Sequence, residues 1–179
     1  MKNSNFKKHF IGAVVFSSLL AMTFLAANLS FAQAYGGEGD CDRDCRKDLA
    51  TARAATAKYH DINEAIADGF VRVSPCVAVP GLGAMGFHYA NFARAGNPNL
   101  DPAEPETLLY VPDEDGDLRL VGLEYTRFGP PTPPEPTLFG QEFHYDSRLG
   151  AYTLHVWAWR NNPSGMFAPF NPKLGCPAS

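Results

Sequence analysis

Two hydrophobic periods divide this chain. Between Arg46 and Ala67 the buried-type positions recur three and four residues apart: Leu49, Ala52 and Thr56, then Tyr59, Ile62, Ala65 and Ile66. Alanine-rich helix formers fill the gaps, so this stretch predicts helix. Asp61, within Y-H-D-I-N-E-A-I, is placed to cap a second helix after a break, with Glu64 at capping-box spacing. Gly69 reads as the stop. From Phe70 the period becomes two, which predicts strands over Phe70–Ser74, Met85–Phe92, Glu106–Val111, Leu118–Arg127, Leu138–Tyr145 and Tyr152–Trp159. The run Asp113-Glu114-Asp115-Gly116-Asp117 and the segment from Asp146 to Gly150 read as hairpin turns. Gly129 to Pro136, G-P-P-T-P-P-E-P, lacks the amides to join a sheet and is expected as an extended loop. Helices followed by consecutive hairpins give an α+β fold. Its N-terminal helices would pack on one side of a twisted antiparallel sheet or small open barrel.

The last strand carries the richest pattern. Leu154, Val156 and Ala158 fall on one face, and His155, Trp157 and Trp159 on the other, before two Asn-Pro turns and a closing Cys176. Such a strand is either core on both sides or the wall of a site.

The N-terminus has a different character. Lys2, Lys7 and Lys8 precede an uncharged run from Ile11 to Ala27, and Ala32-Gln33-Ala34 fits a cleavage site, so residues 1–34 read as an export signal. Without its three lysines the chain keeps 12 basic against 19 acidic residues, net −7 with histidine neutral. An acidic exported domain with no basic cluster argues against nucleic acid as a partner, and against anionic membrane surfaces once the signal is removed. The compartment would be a periplasm or the exterior. Residues 35–45 are Gly- and Asp-rich and are expected as a flexible cysteine-containing segment, leaving 46–179 as one domain. Four cysteines in an oxidising compartment read as disulfides. Cys76–Cys176 is the favoured pair, clipping the tail to the sheet, with Cys41 and Cys45 a short local bridge or two free thiols.

Candidate chemistry centres on histidine. His88 lies between Phe87 and Tyr89 and shares a face with the small Gly86 and Ala90. Glu124 is read in one row with Leu118, Leu120 and Gly122, where a carboxylate among apolar side chains needs a partner. The hairpin brings His144 near His155, with His144 expected opposite about Tyr152. Three imidazoles and a carboxylate on adjacent strands suit one transition-metal ion, Cu, Zn, Fe or Mn. His88, His144 and His155 would be ligands, and Glu124 a fourth ligand or a general base in redox or hydrolytic chemistry. The compact spacings of strong metal motifs are absent. Asp113, Asp115 and Asp117 alternate like calcium-loop ligands, but the glycine falls ahead of the sixth position that such a loop requires. The rival reading is a non-catalytic envelope or extracellular protein that stacks a glycan or other small molecule on Tyr89, Trp157 and Trp159.

The blocks G-A-M-G-F-H-Y-A-N at 83–91, P-E-T-L-L-Y at 105–110 and L-H-V-W-A-W-R-N-N-P-S-G-M-F at 154–167, with the closing N-P-K-L-G-C, resemble a family of exported bacterial proteins of unassigned function. The resemblance spans the chain beyond about Ala50 and implies one compact domain; it carries no residue role.

Overall fold

The computed structural model describes residues 41–95 and 97–177; the expected signal at 1–34 and residues 35–40 lie outside them. Helix α1 (Arg43–Thr56) begins at Asp42, whose carboxylate accepts the Cys45 amide and satisfies a first-turn N–H. Its buried side is Cys45, Leu49, Ala52 and Thr56, close to the predicted stripe. A 3-10 turn (Ala57–His60) interrupts it, and α2 (Ile62–Ala67) restarts where Asp61 accepts the Asn63 amide. Gly69, at φ 90°, then reverses the chain, and the amides of Gly69 and Phe70 bond back to Ile66 and Ala65. The helix starts earlier than its periodicity suggests. Cys41 and Cys45, expected in a loose segment, are bonded to each other and belong to the main core.

The strands are β1 (Val71–Arg72), β2 (Val77–Val79), β3 (Gly83–Ala90), β4 (Thr107–Pro112), β5 (Leu118–Phe128), β6 (Thr137–Leu138), β7 (Gln141–Glu142), β8 (His144–Asp146) and β9 (Ala151–Val156), with the single helical turn α3 (Phe92–Ala95) after β3. Seven of them form one open antiparallel sheet in the order β1-β3-β4-β5-β9-β8, with β2 added on β3. The fold is α+β. The strand expected over 138–145 is broken, because Phe139 and Gly140 both take positive φ and fold β6 back on β7. The strand expected over 70–74 shrinks to Val71–Arg72, and Phe70 before it is buried in the core.

One face of the sheet carries Leu108, Tyr110, Leu123, Tyr125, Leu154 and Val156 against Leu49, Ala52, Tyr59 and Ala65. Their buried phenols are satisfied: Tyr110 donates to the Tyr59 carbonyl and Tyr125 to that of Pro102, both at 2.7 Å. The other face holds Leu109, Val111, Val121 and Trp157, covered in part by Leu174 of the tail. β5 changes allegiance between these layers. Leu109 opposes Gly122 while Tyr110 opposes Leu120, so Val121 is an extra residue, a bulge. Leu118 and Leu120 therefore belong with the helix-side core, whereas Gly122 and Glu124 lie on the opposite face. The single row read from the sequence does not exist.

The acidic turn is likewise accounted for by local bonding. Asp113 Oδ1 accepts the amides of Asp115 and Asp117, and Oδ2 accepts Arg119 Nε at 2.6 Å. Among the described residues no helix is long and apolar enough to cross a membrane.

Cys76–Cys176 closes a separation of 100 residues and Cys41–Cys45 one of 4. A chain-entropy model assigns loops of those sizes about 4.7 and about 2 kcal/mol as upper figures. Replacing Cys76 and Cys176 by serine should therefore lower the denaturation midpoint clearly more than replacing Cys41 and Cys45. Chemical denaturation of the two double variants checks the order, and the reverse order would contradict it.

Candidate metal centre

Three strands bring the site together. Glu124 on β5 lies directly opposite His155 on β9. His88 on β3 lies opposite Leu109 of β4, which in turn opposes Gly122. His88 and Glu124 are thus separated by a whole strand, roughly 10 Å of backbone, and meet only because both side chains lean across β4. Glycine at 122 suits this crowding, since a Cβ there would sit 3.3 Å from both Leu109 Cδ1 and Trp157 Cε3. The side chains of His88, Glu124 and His155 are 13, 8 and 9 % exposed.

The distances discriminate between two kinds of cluster. His88 Nε2 stands 3.7 Å from one carboxylate oxygen of Glu124, and His155 Nε2 stands 3.7 Å from the other. That is too long for hydrogen bonds, which close at about 2.7–3.2 Å. It is close to the spacing of two ligands on one ion: bonds of about 2.0–2.2 Å at tetrahedral angles leave donor atoms about 3.4 Å apart. One ligand atom from each residue falls in a set mutually within 4.8 Å. His155 Nε2 is fully buried and has no hydrogen-bond partner among the described residues, a costly condition that an ion would relieve.

The contacts of Ser74 favour one His88 tautomer. Its one hydroxyl hydrogen goes to the Pro75 carbonyl at 2.7 Å, so its contact of 3.0 Å with His88 Nδ1 requires the ring to donate. The proton then sits on Nδ1 and the Nε2 lone pair faces Glu124, the arrangement in which outer hydrogen bonds orient ligating histidines. The Ser74 oxygen also accepts the His88 backbone amide at 3.1 Å.

Burial drives all three groups toward neutrality. It pushes the His155 pKa down to about 4, and nearby His144 adds to the shift. Burial also lowers His88, with Glu124 opposing and His155 assisting. It raises Glu124, against His88 and with Asp146. Both imidazoles therefore keep free lone pairs at neutral pH, and a bound cation would supply the positive charge that a buried carboxylate lacks.

The other sequence candidates are placed differently. His144 pairs with Thr153, one residue off the expected Tyr152 partner, which puts it on the His155 side of β9. It is exposed, however, and is not one of the three residues in the close set. The three aromatics share no wall. Tyr89 is buried in the helix-side core, edge-on to Tyr110 at 5.1 Å, while Trp157 is buried on the opposite face with Nε1 donating to the Ala168 carbonyl. β9 ends at Val156, so Trp159 no longer follows its alternation and turns to the helices, donating to Thr56 and packing on His60 at 4.4 Å.

Two residues escaped the sequence reading. Ser74 is one; a serine before proline gives no periodic signal. Glu106 is the other, a buried carboxylate at the head of an apolar strand, which was the visible clue. Its Oε2 accepts the Thr126 amide at 2.9 Å, beyond the point where β4 stops supplying acceptors. Burial lifts its pKa to about 7, against the Thr126 bond and Arg94. No family model, characterised protein or solved structure matches this chain, so the site rests on its own geometry.

A neutral buried histidine makes stability depend on pH. With a folded pKa near 4 against an ordinary 6.5, the unfolded chain binds more protons between those values. His155 thus contributes stability that is complete above about pH 6.5 and is lost as pH falls toward 4. In chelator-treated protein, NMR titration should show the His155 ring neutral until about pH 4; a midpoint near 6.5 would contradict this burial.

Proposed function

We propose that the protein binds one divalent transition-metal ion through His88 Nε2, Glu124 and His155 Nε2, in an oxidising compartment outside the cytosol. The observation that carries this reading is the orphaned His155 Nε2, aimed at a buried carboxylate from ligand distance rather than hydrogen-bond distance. Two disulfides accord with an oxidising compartment, and the leader pattern supports a periplasmic or extracellular one.

Two imidazoles and one carboxylate make a set used by Zn, Fe, Mn and Cu. Three protein ligands leave coordination positions open, where a bound ion supplies Lewis-acid or redox chemistry. Glu124 faces both imidazoles equally, which favours a ligand's role over that of a separate general base. Ser74 holds the His88 ring, and the tail clipped by Cys76–Cys176 lends Leu174 to the same side of the sheet. The glycan reading has less support, because Tyr89 and Trp157 present no common surface.

Elemental analysis of protein purified from its native export route, without chelator or affinity tag, should find one metal ion per chain. Glu124→Gln and His155→Ala should abolish it while circular dichroism stays unchanged. Ser74→Ala should keep all three ligands but weaken affinity by about 10- to 100-fold, the usual effect of losing an orienting bond. Absence of metal as purified and after incubation with Zn, Mn, Fe and Cu, in folded protein, would overturn the proposal.

A further inference from the structure

A second site lies away from the metal ligands. Where β9 ends, the chain from Trp157 to Asn162 bends around a cavity of about 150 Å³ against α1, lined by Arg53, Trp157, Trp159, Arg160, Asn161 and Met166 among others. Its lining contains two arginines and no carboxylate, in a chain with 19 acidic against 15 basic residues. Three other cations are paired: Arg119 with Asp113, Arg148 with Asp146, and Lys58 with Asp68. Among the described residues neither Arg53 nor Arg160 has a carboxylate partner. Arg53 is nonetheless anchored, because its Nε donates to the Ala158 carbonyl at 2.8 Å. That bond fixes the guanidinium at the cavity and leaves its terminal nitrogens for a ligand.

The remaining lining sets the apolar Ala158, Trp159 and Met166 beside Asn161 and Asn162. Trp159 has committed its N–H group to Thr56, so it offers ring carbon. Met166 adds a polarisable thioether. A cationic rim over an apolar floor selects an amphipathic anion, and the volume excludes a polymer chain.

We propose that this cavity binds a small organic carboxylate, with the acid group between Arg53 and Arg160 and the apolar body against Trp159 and Met166. Two guanidinium groups can grip a carboxylate in bidentate fashion, whereas inorganic phosphate would leave the apolar floor unused.

The test is tryptophan fluorescence titration of the full chain with benzoate, benzamide and inorganic phosphate. Benzoate should give a saturable change, and benzamide and phosphate should each bind at least about tenfold more weakly. Arg160→Gln should weaken benzoate at least about tenfold without shifting the melting temperature, because no hydrogen bond of the fold depends on that exposed side chain. His155→Ala must leave benzoate affinity unchanged; loss there would place the ligand on the metal centre and overturn the proposal. Equal binding of benzoate and benzamide, equal binding of phosphate, or an unaffected Arg160→Gln variant would each overturn it too.

Discussion

A carboxylate in the middle of a sheet buried on both faces has to be neutralised, and the arrangement around Glu124 follows from that requirement. Burying an unpaired carboxylate is costly enough that the group would rather take up a proton. Among the described residues no lysine or arginine lies within salt-bridge distance; there are two imidazoles, one across a ladder pair and one leaning over β4. Burial discourages the imidazoles from charging as well. A proton can neutralise one of these groups at a time, whereas a divalent ion satisfies two lone pairs and a carboxylate together. The 3.7 Å spacings would suit three ligands of one ion.

The rest of the fold holds these three atoms in place. The bulge at Val121 hands Leu118 and Leu120 to the helix-side core and leaves Glu124 on the other face. The β5–β9 register then sets Glu124 opposite His155 with no freedom to slip, because a one-residue shift would drive Tyr125 and Leu154 out of the core. Ser74 fixes the third member, from a loop that Cys76 ties to the C-terminal tail. Glu106 supplies the Thr126 amide with an acceptor where β4 runs out, which preserves the end of β5 nearest the site.

Much of this was legible in the sequence, for identifiable reasons. Helical and strand periods located α1, α2, β3, β4, β5 and β9, because each buries a continuous stripe or face. His88, Glu124 and His155 stood out as polar residues inside those strands. The bulge was not legible, since one inserted residue leaves the alternation on either side intact. Nor was the break at Phe139 and Gly140, where positive φ at a large aromatic residue defies propensity. The aromatic wall failed for a related reason: alternation was extended past Val156, but the strand stops there and Trp159 rotates to the helices. His144 shows the same limit, its partner set by a turn register that composition does not encode.

The most direct measurement is anomalous X-ray diffraction from crystals of the protein loaded with zinc, recorded above and below the metal edge. The account predicts a single anomalous peak within about 2.0–2.2 Å of His88 Nε2, a Glu124 carboxylate oxygen and His155 Nε2. No peak there, with Glu124 hydrogen-bonded directly to the two imidazoles, would contradict it.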